Sequence, residues 1–552
     1  MDYKTEKQRI IFESLEEEID EWMHVKGKHH QYYDTLGSPI RNPLHIHINY
    51  IDSDTYNIVS INGNLLRNPF SEYRQNCELN TMTKFGTLKQ SLSSYMKNSE
   101  VPFEFTKKDF SEILHIDLDD SIRGTLTGYN AKLAQGFSMD KQDINFEPWN
   151  ILSPELYFDA PKERGIDVGN LNAIVKYISR ELKSRNKNID EVRCGLNICF
   201  EDTYMANSEK SKIYLSTVLF KLILESTFLM ETNYLHGAYG SIYTKSLNTM
   251  LNEKNIEKLI QTVDRETNEL RKAKIENSGN MPVLLGPDAA AALMHESFAH
   301  LLSAQYIDRK KSTVYAKSKN EKVMPSQISI WNDPTIGLSD TENPLSWGSY
   351  GYDLEGVKTK KQLLIDRGVL IDFLHSRSTA AKRNILPCGN MRGKLTMTDK
   401  GALPPEPRIS NLIVAIDKDS TVDLGSLKKL AFQEAKKQGK NYSLFCDTTE
   451  GYTTIEDGII VLNPTRSYRL HKSGQERVIV DDLVIGNSHS VLTEDEILAY
   501  GNDYAISQGH CGSTSGDIPT AQKSPSFLLK RVAVNRDPLR RKELPPLIEH
   551  KE

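Results

Sequence analysis

Three ionisable residues stand close together in an otherwise apolar stretch, AAALMHESFAHLLSAQ at residues 290–305: His295, Glu296 and His300. Two imidazoles and an adjacent carboxylate are the parts of a metal-hydrolase centre, in which the histidines hold the ion and the glutamate acts as general base. The familiar spacing of the two histidines is i and i+4, on one helical face, whereas here it is i and i+5. At 3.6 residues per turn, the second ring is rotated by roughly 140° from the first. A regular helix keeps them apart, so the metal reading predicts a π-bulge, one extra residue in the turn, within residues 294–301. From the spacing alone, two core or rim histidines beside a solvated glutamate are the favoured reading, since so short a pattern often arises by chance.

The elements that must position these groups belong to a chain of 552 residues, too long for one ordinary core. With 38% apolar and 26% charged residues it can fill cores and keep a solvated surface. A formal net charge of −5 leaves no positive excess to neutralise a phosphate backbone, so nucleic acid is not an expected partner. The polar N-terminus lacks the apolar centre of an export signal. The apolar run at residues 213–230 is broken by Lys221 and Glu225, which argues against a membrane span. The expected location is cytoplasmic. Six cysteines, at positions 77, 194, 199, 388, 446 and 511, have neither the density nor the spacing of a disulfide scaffold and are expected to be reduced.

Periodicity predicts an amphipathic helix over residues 4–25, then strands over 44–51 and 56–61 ended by the turn Asn62-Gly63-Asn64. Asp119 or Asp120 can cap a helix reaching about residue 135, and Asp167 another whose Leu171, Val175, Ile178 and Leu182 recur at helical spacing. Two long strands and a polar helix at 255–275 follow. From residue 281 short strands, glycines and prolines dominate, with hairpins around Arg367-Gly368 and Ser473-Gly474 and helices at 288–305 and 426–438. The expected architecture is α+β: an N-terminal αβ region over 1–280, open to subdivision near 150–190, followed by a mainly antiparallel β domain over 281–536 that carries the metal-binding helix. Residues 537–552 read as a poorly ordered tail. Asp288 reads as an N-cap.

Four stretches in order, VLLGPDAAAALMHESFAH, DLEGVKTKKQLLIDRGVLIDFLHSRSTAAKRN, PRISNLIV and HCGSTSGDIPT, resemble the metalloprotease domain of the TldD/PmbA family. The resemblance covers about residues 283–534 well and the region before it more loosely. It implies the catalytic branch, in which a long HExxxH motif supplies two histidine ligands and a glutamate, and a cysteine near the C-terminus completes the set. The matching positions are His295, Glu296, His300 and Cys511, with one zinc ion per chain. After the second histidine the family continues with glycine and, a few positions later, an acidic residue, where this chain has Leu301 and Gln305. Ala299 stands where the family has glycine.

The implied function is hydrolysis of peptide bonds in unfolded or flexible peptides, with Glu296 as general base. The implied assembly is a homodimer or a heterodimer with a related subunit, without nucleic acid or membrane. Alternative readings are a metal-stabilised partner subunit without activity and a metal-dependent amide hydrolase of a biosynthetic pathway. A DNA-topology modulator, a description attached to the family, fits poorly with the negative net charge. For the sulfur, Cys511 as a structural thiol, His510 as ligand in its place, and Cys388 are the competing assignments. The hairpin at Arg367-Gly368 and the strand in PRISNLIV are candidate edges for peptide backbone.

Overall fold

A computed structural model describes residues 5–24, 43–66, 73–86, 91–95, 99–102, 104–138, 148–162, 164–231, 235–310, 312, 314–393, 404–453, 458–487 and 491–536. The expected tail at 537–552 lies outside them. The chain mixes helix and strand as an α+β fold, in sheets that separate along the sequence.

In the N-terminal part, helix α1 (Glu6–His24) precedes strands β1 (His45–Ile61) and β2 (Tyr73–Gly86), then helices α2 (Lys107–Ser138) and α3 (Val168–Arg185). Strands β3 (Glu191–Asn207), β4 (Lys212–Leu229) and β5 (Leu235–Thr244) follow, and helix α4 (Glu253–Arg271). They form a sheet in the order β2-β1-β3-β4-β5, antiparallel throughout these pairings. The two strands expected at 44–51 and 56–61 are one continuous strand, because Asp52 and Asp54 stay in the ladder, Asp54 being ion-paired to Arg164. The turn Asn62-Gly63 does end it, both residues taking positive φ (51° and 85°) as a two-residue hairpin requires. Helix α2 begins twelve residues before the expected Asp119. The true start is a reciprocal cap between Thr106 and Asp109, each side chain accepting from the other's backbone N–H. Asp167 caps α3 as expected, accepting from the Asn170 N–H.

The remaining strands include β6 (Gly279–Leu285), which leads into helix α5 (Pro287–Phe298), and β7 (Ile328–Asn332), β8 (Asn411–Ile416), β9 (Ser443–Thr453) and β10 (Ile459–His471). After them come β11 (Ala505–Cys511), β12 (Ile518–Ser524) and β13 (Phe527–Asn535). One sheet runs β10-β9-β6-β13 and another β7-β8-β12-β11. Most neighbours are antiparallel, with parallel joins between β6 and β9 and between β8 and β12. Helix α5 crosses between the two sheets, its Ala289, Leu293, Met294 and Phe298 completely buried with Val283, Ile330, Leu412 and Leu444 in one core. Strand β8, from PRISNLIV, pairs on both sides and offers no free edge, because its alternating apolar residues fill that core.

The two parts of the chain pack directly on each other. Trp347 packs on Cys199 and Leu219, and Tyr352 on Met205 and Ile213. All six cysteines are free thiols. No helix among the described residues is long and apolar enough to cross a membrane, which says nothing of membrane-crossing strands.

Candidate metal centre

His295 and Glu296 lie in the last turn of α5, and the helix stops at Phe298. Ala299 N–H still reaches the His295 carbonyl at 2.7 Å and Leu302 N–H the Phe298 carbonyl at 3.0 Å, but residues 299–302 form a turn, not further helix. His300 therefore leaves the helix register, and the turn swings it back towards His295. This replaces the expected π-bulge: the helix ends, it does not widen. The cause is the core beneath, where Leu301 and Leu302 are fully buried and pull the chain inward just past the second histidine.

Cys511 arrives from the end of β11, on the hairpin joining it to β12. Its Sγ lies 3.1 Å from His295 Nε2 and 3.4 Å from His300 Nε2. The three donor atoms all fall within 4.8 Å of one another. Two imidazole nitrogens and a sulfur at that separation fit around one ion of the size and borderline softness of zinc, with a fourth position left open. His295 and Cys511 are buried and His300 half-buried. Glu296, also buried, shares the same pocket wall.

The electrostatics are those of a site set for a thiolate. Burial alone pushes the Cys511 thiol up, yet Arg408, His300 and His295 together hold it well below the ordinary thiol value. Burial raises the Glu296 carboxyl above its ordinary range, against the opposing pull of the two histidines. On its far side the His295 ring meets the Gln522 side chain, 3.0 Å from Nδ1. That carboxamide holds the orientation of the ring.

Several residues that hold the site were not singled out from the sequence. Arg408, 2% exposed, donates to the Cys511 carbonyl at 2.5 Å, to Ser515 Oγ at 2.7 Å and to the Gly516 carbonyl at 3.1 Å. Glu406 accepts from Tyr306 Oη, Ser513 Oγ and Thr514 Oγ1 at 2.8, 2.8 and 2.5 Å. The two together pin the loop HCGSTSG, and Tyr306 ties that loop to the segment after α5. Their signal lay in PRISNLIV and the two residues before it, where polar groups flank a buried strand. Gly451 on β9 packs over Glu296, and a Cβ there would stand 3.1 Å from Glu296 Cγ.

Other sequence candidates fall elsewhere. His510 points away from the cluster, its ring against Trp347 and Tyr243, and burial pushes its pKa down to about 4. Cys388 is not part of the cluster. Asp288 is not the N-cap of α5: Gly286 takes that position and Pro287 the first turn. The Asp288 carboxylate instead lines the cleft, bonded to Ser507 and to the Thr449 N–H, two helical turns from His295.

That cleft occupies about 1940 Å³ including its open mouth. Its walls come from β5 (Tyr239, Tyr243), from β9 (Thr449, Gly451) and from β11, with the metal cluster at its inner surface. Strand β11 pairs only with β12 among the described residues, so its other edge borders the cleft. Neither Leu301 nor Gln305 lines it.

A His–His–Cys donor set thus gathers where a core helix ends against the tip of the β11–β12 hairpin. The family model for the PmbA/TldA metallopeptidase C-terminal domain matches residues 278–536. A metalloprotease of Methanothermobacter thermautotrophicus is 25% identical over 285 residues, 52% of this chain and 57% of that protein. A zinc metalloprotease TldD homologue of Saccharolobus solfataricus is 22% identical over 263 residues, 48% and 53% of the two chains. The chain thus spans about half the length of these relatives. Two solved structures share the fold: a Thermotoga maritima protein described as a modulator of a DNA gyrase, and TldE of Thermococcus kodakarensis. The first has a TM-score of 0.59 at 18% identity, covering 89% of this chain and 96% of that one. TldE has a TM-score of 0.56 at 14% identity, covering 89% and 97%. Residues 278–536 thus carry the C-terminal domain of the TldD/PmbA family.

Proposed function

We propose that this chain is a zinc-dependent peptidase acting on flexible peptides. The observation that carries the reading is the meeting of His295, His300 and Cys511 beside a buried carboxylate in the wall of an open cleft. A zinc ion held by those three donors supplies a Lewis acid for a scissile carbonyl and lowers the pKa of water towards neutrality. Glu296 takes the proton of the attacking water on its carboxylate and delivers it to the leaving amine. Its raised pKa suits a group that must both accept and return a proton near neutral pH. A metal kept only for stability has no use for that carboxylate, nor for the space Gly451 leaves it.

The free edge of β11 supports the substrate class, because a peptide in extended form can add to it through backbone hydrogen bonds that every sequence offers. A folded protein offers few such segments, because most of its backbone groups are already paired. Leu301, the departure from the family pattern next to the site, is buried in the core and not in the cleft wall, which supports peptides over a specialised amide. Assembly as a pair of related subunits and a cytoplasmic location belong to the same proposal. Glu296→Gln is the test. Peptide cleavage should fall about 100-fold or more while zinc content and thermal stability stay near wild type. Undiminished cleavage in that variant, or a wild-type protein that binds no zinc, rejects the reading.

A further inference from the structure

Helix α5 presents to the cleft a second carboxylate that the proposed reaction does not use. Asp288, Ala292, His295 and Glu296 all line that cleft. Seven positions separate Asp288 from His295, nearly two whole turns, so the two share a helix face about 10.5 Å apart along the axis. Ala292 lies between them, and its single methyl group keeps the floor low from the carboxylate to the metal cluster. An extended peptide rises about 3.3 Å per residue, so a chain whose scissile bond lies at the cluster brings its third residue away level with Asp288.

The Asp288 carboxylate is held from two sides, by the Ser507 side chain of β11 and the Thr449 N–H of β9. A carboxylate has about four acceptor positions, so these contacts leave others for a ligand. Burial raises its pKa above the ordinary aspartate value, and the charge of Asp447 adds to this; Ser507, Thr449 and Arg466 offset it only in part. Arg466 is the one lysine or arginine among the described residues lining the cleft, and it is ion-paired to Glu266 at 2.6 Å and to Asp447 at 2.9 Å. Glu450, exposed on β9, brings a further carboxylate, which accepts from Tyr239 Oη at 2.8 Å. Neither Asp288 nor Glu450 forms an ion pair among the described residues.

We propose that this end of the cleft selects peptides with a cationic group about three residues from the scissile bond, and that Asp288 is the residue that meets it. The proposal rests on the peptidase reading for what lies in the cleft, and adds which peptides are preferred. Two sources offer the cation, a lysine or arginine side chain and the free α-ammonium of the peptide, and a carboxylate recognises either by charge. Asp288 also joins α5 to β9 and β11, so the test must separate its charge from that bracing.

Peptide binding is measured by fluorescence anisotropy on the full chain carrying Glu296→Gln, which prevents turnover under the peptidase reading. The probes are decapeptides of alanine, glutamine and leucine, acetylated and labelled at the C-terminus, with one central lysine, norleucine or glutamate; a fourth is the norleucine peptide with a free amine. The lysine peptide, or the free-amine peptide, is expected to bind about fivefold more tightly than acetylated norleucine, the size of one partly exposed charge pair, with glutamate weakest. Whichever of the two gains identifies the source of the cation. Asp288→Asn keeps an acceptor for Thr449 and Ser507 and removes the charge, so the gain should vanish while the acetylated norleucine peptide binds as before. Equal binding of all four probes, a gain that survives in Asp288→Asn, or no binding of any probe in the millimolar range overturns the proposal. Should Asp288→Asn fail to fold, Glu450→Gln decides: a gain kept there leaves Asp288 as its source, and a gain lost there overturns the assignment. Cleavage by wild type separates this proposal from the reading beneath it. Equal cleavage of the lysine, free-amine and acetylated norleucine peptides keeps the peptidase and sinks the preference, whereas Asp288-dependent binding without any cleavage does the reverse.

Discussion

Gly451 packs closely over Glu296 in the proposed reaction centre. A methyl group at position 451 would stand 3.1 Å from Glu296 Cγ and 2.9 Å from Leu462 Cδ2, closer than packed carbons tolerate. The Leu462 methyl has to shift, and Glu296 has to give by a few tenths of an ångström. Gly451→Ala should therefore lower cleavage about 10- to 100-fold, the cost of displacing a reacting group by a fraction of an ångström to one ångström. Its zinc content should stay at wild type, because no ligand is touched. Elemental analysis beside a peptide assay checks this, and loss of metal in the variant would show that Gly451 supports the ligands instead. Cys511→Ser should behave in the opposite way: a serine hydroxyl is a poor partner for zinc beside a thiolate, so weakened metal affinity should come first. Dialysis against graded chelator, followed by metal analysis, distinguishes the two classes of variant.

At the scale of elements, the site depends on how one helix stops and how one loop is pinned. His295, Glu296 and His300 were legible in the sequence as a group, but the spacing was read as a bulge inside a longer helix. A helical pattern of apolar residues does continue past Phe298, and nothing local to residues 299–302 says stop. The stop comes from tertiary packing, with Leu301 and Leu302 entering a core shared with distant strands. Asp288 is not the cap for a related reason, since Gly286 and Pro287 already supply the helix start. The capping pair Thr106 and Asp109, two short polar side chains three residues apart, is legible ahead of Asp119 and Asp120. Cys511 was reached only through resemblance, because 211 residues of chain separate it from His300 and no local pattern links them. Arg408 and Glu406 could not be assigned at all without the fold that brings the loop HCGSTSG onto them. Arg408→Met should cost about 2–4 kcal/mol in denaturant unfolding, since it strands the carbonyls of Cys511 and Gly516 in a buried setting. It should also weaken zinc binding. A variant as stable as wild type would mean the loop holds its shape unaided.

For the molecule as a whole, the N-terminal sheet walls the cleft through Tyr239 and Tyr243, so the two parts of the chain shape that space together. Lys245, just after β5, sits where those parts meet, and its titration reports on how they fit together. In the folded protein burial, with Arg392 and Lys162 nearby, holds its pKa down to about 7, whereas the ordinary lysine value is 10.5. Between those values the unfolded chain carries a proton at this position that the folded chain does not. Stability contributed through Lys245 is therefore lowest below pH 7 and rises as pH climbs through the window from about 7 to 10.5. At most one proton is involved, which limits the slope to about 1.4 kcal/mol per pH unit. Lys245→Met removes the titrating group and keeps most of the side-chain volume. Wild type and variant should thus differ most at pH 6, where the variant gains, and converge towards pH 10. Taking the difference between the two cancels the other groups that titrate over the same range. Urea unfolding of both proteins at pH 6, 8 and 10 gives the comparison, and a difference that stays constant with pH would mean that Lys245 keeps its charge in the folded state.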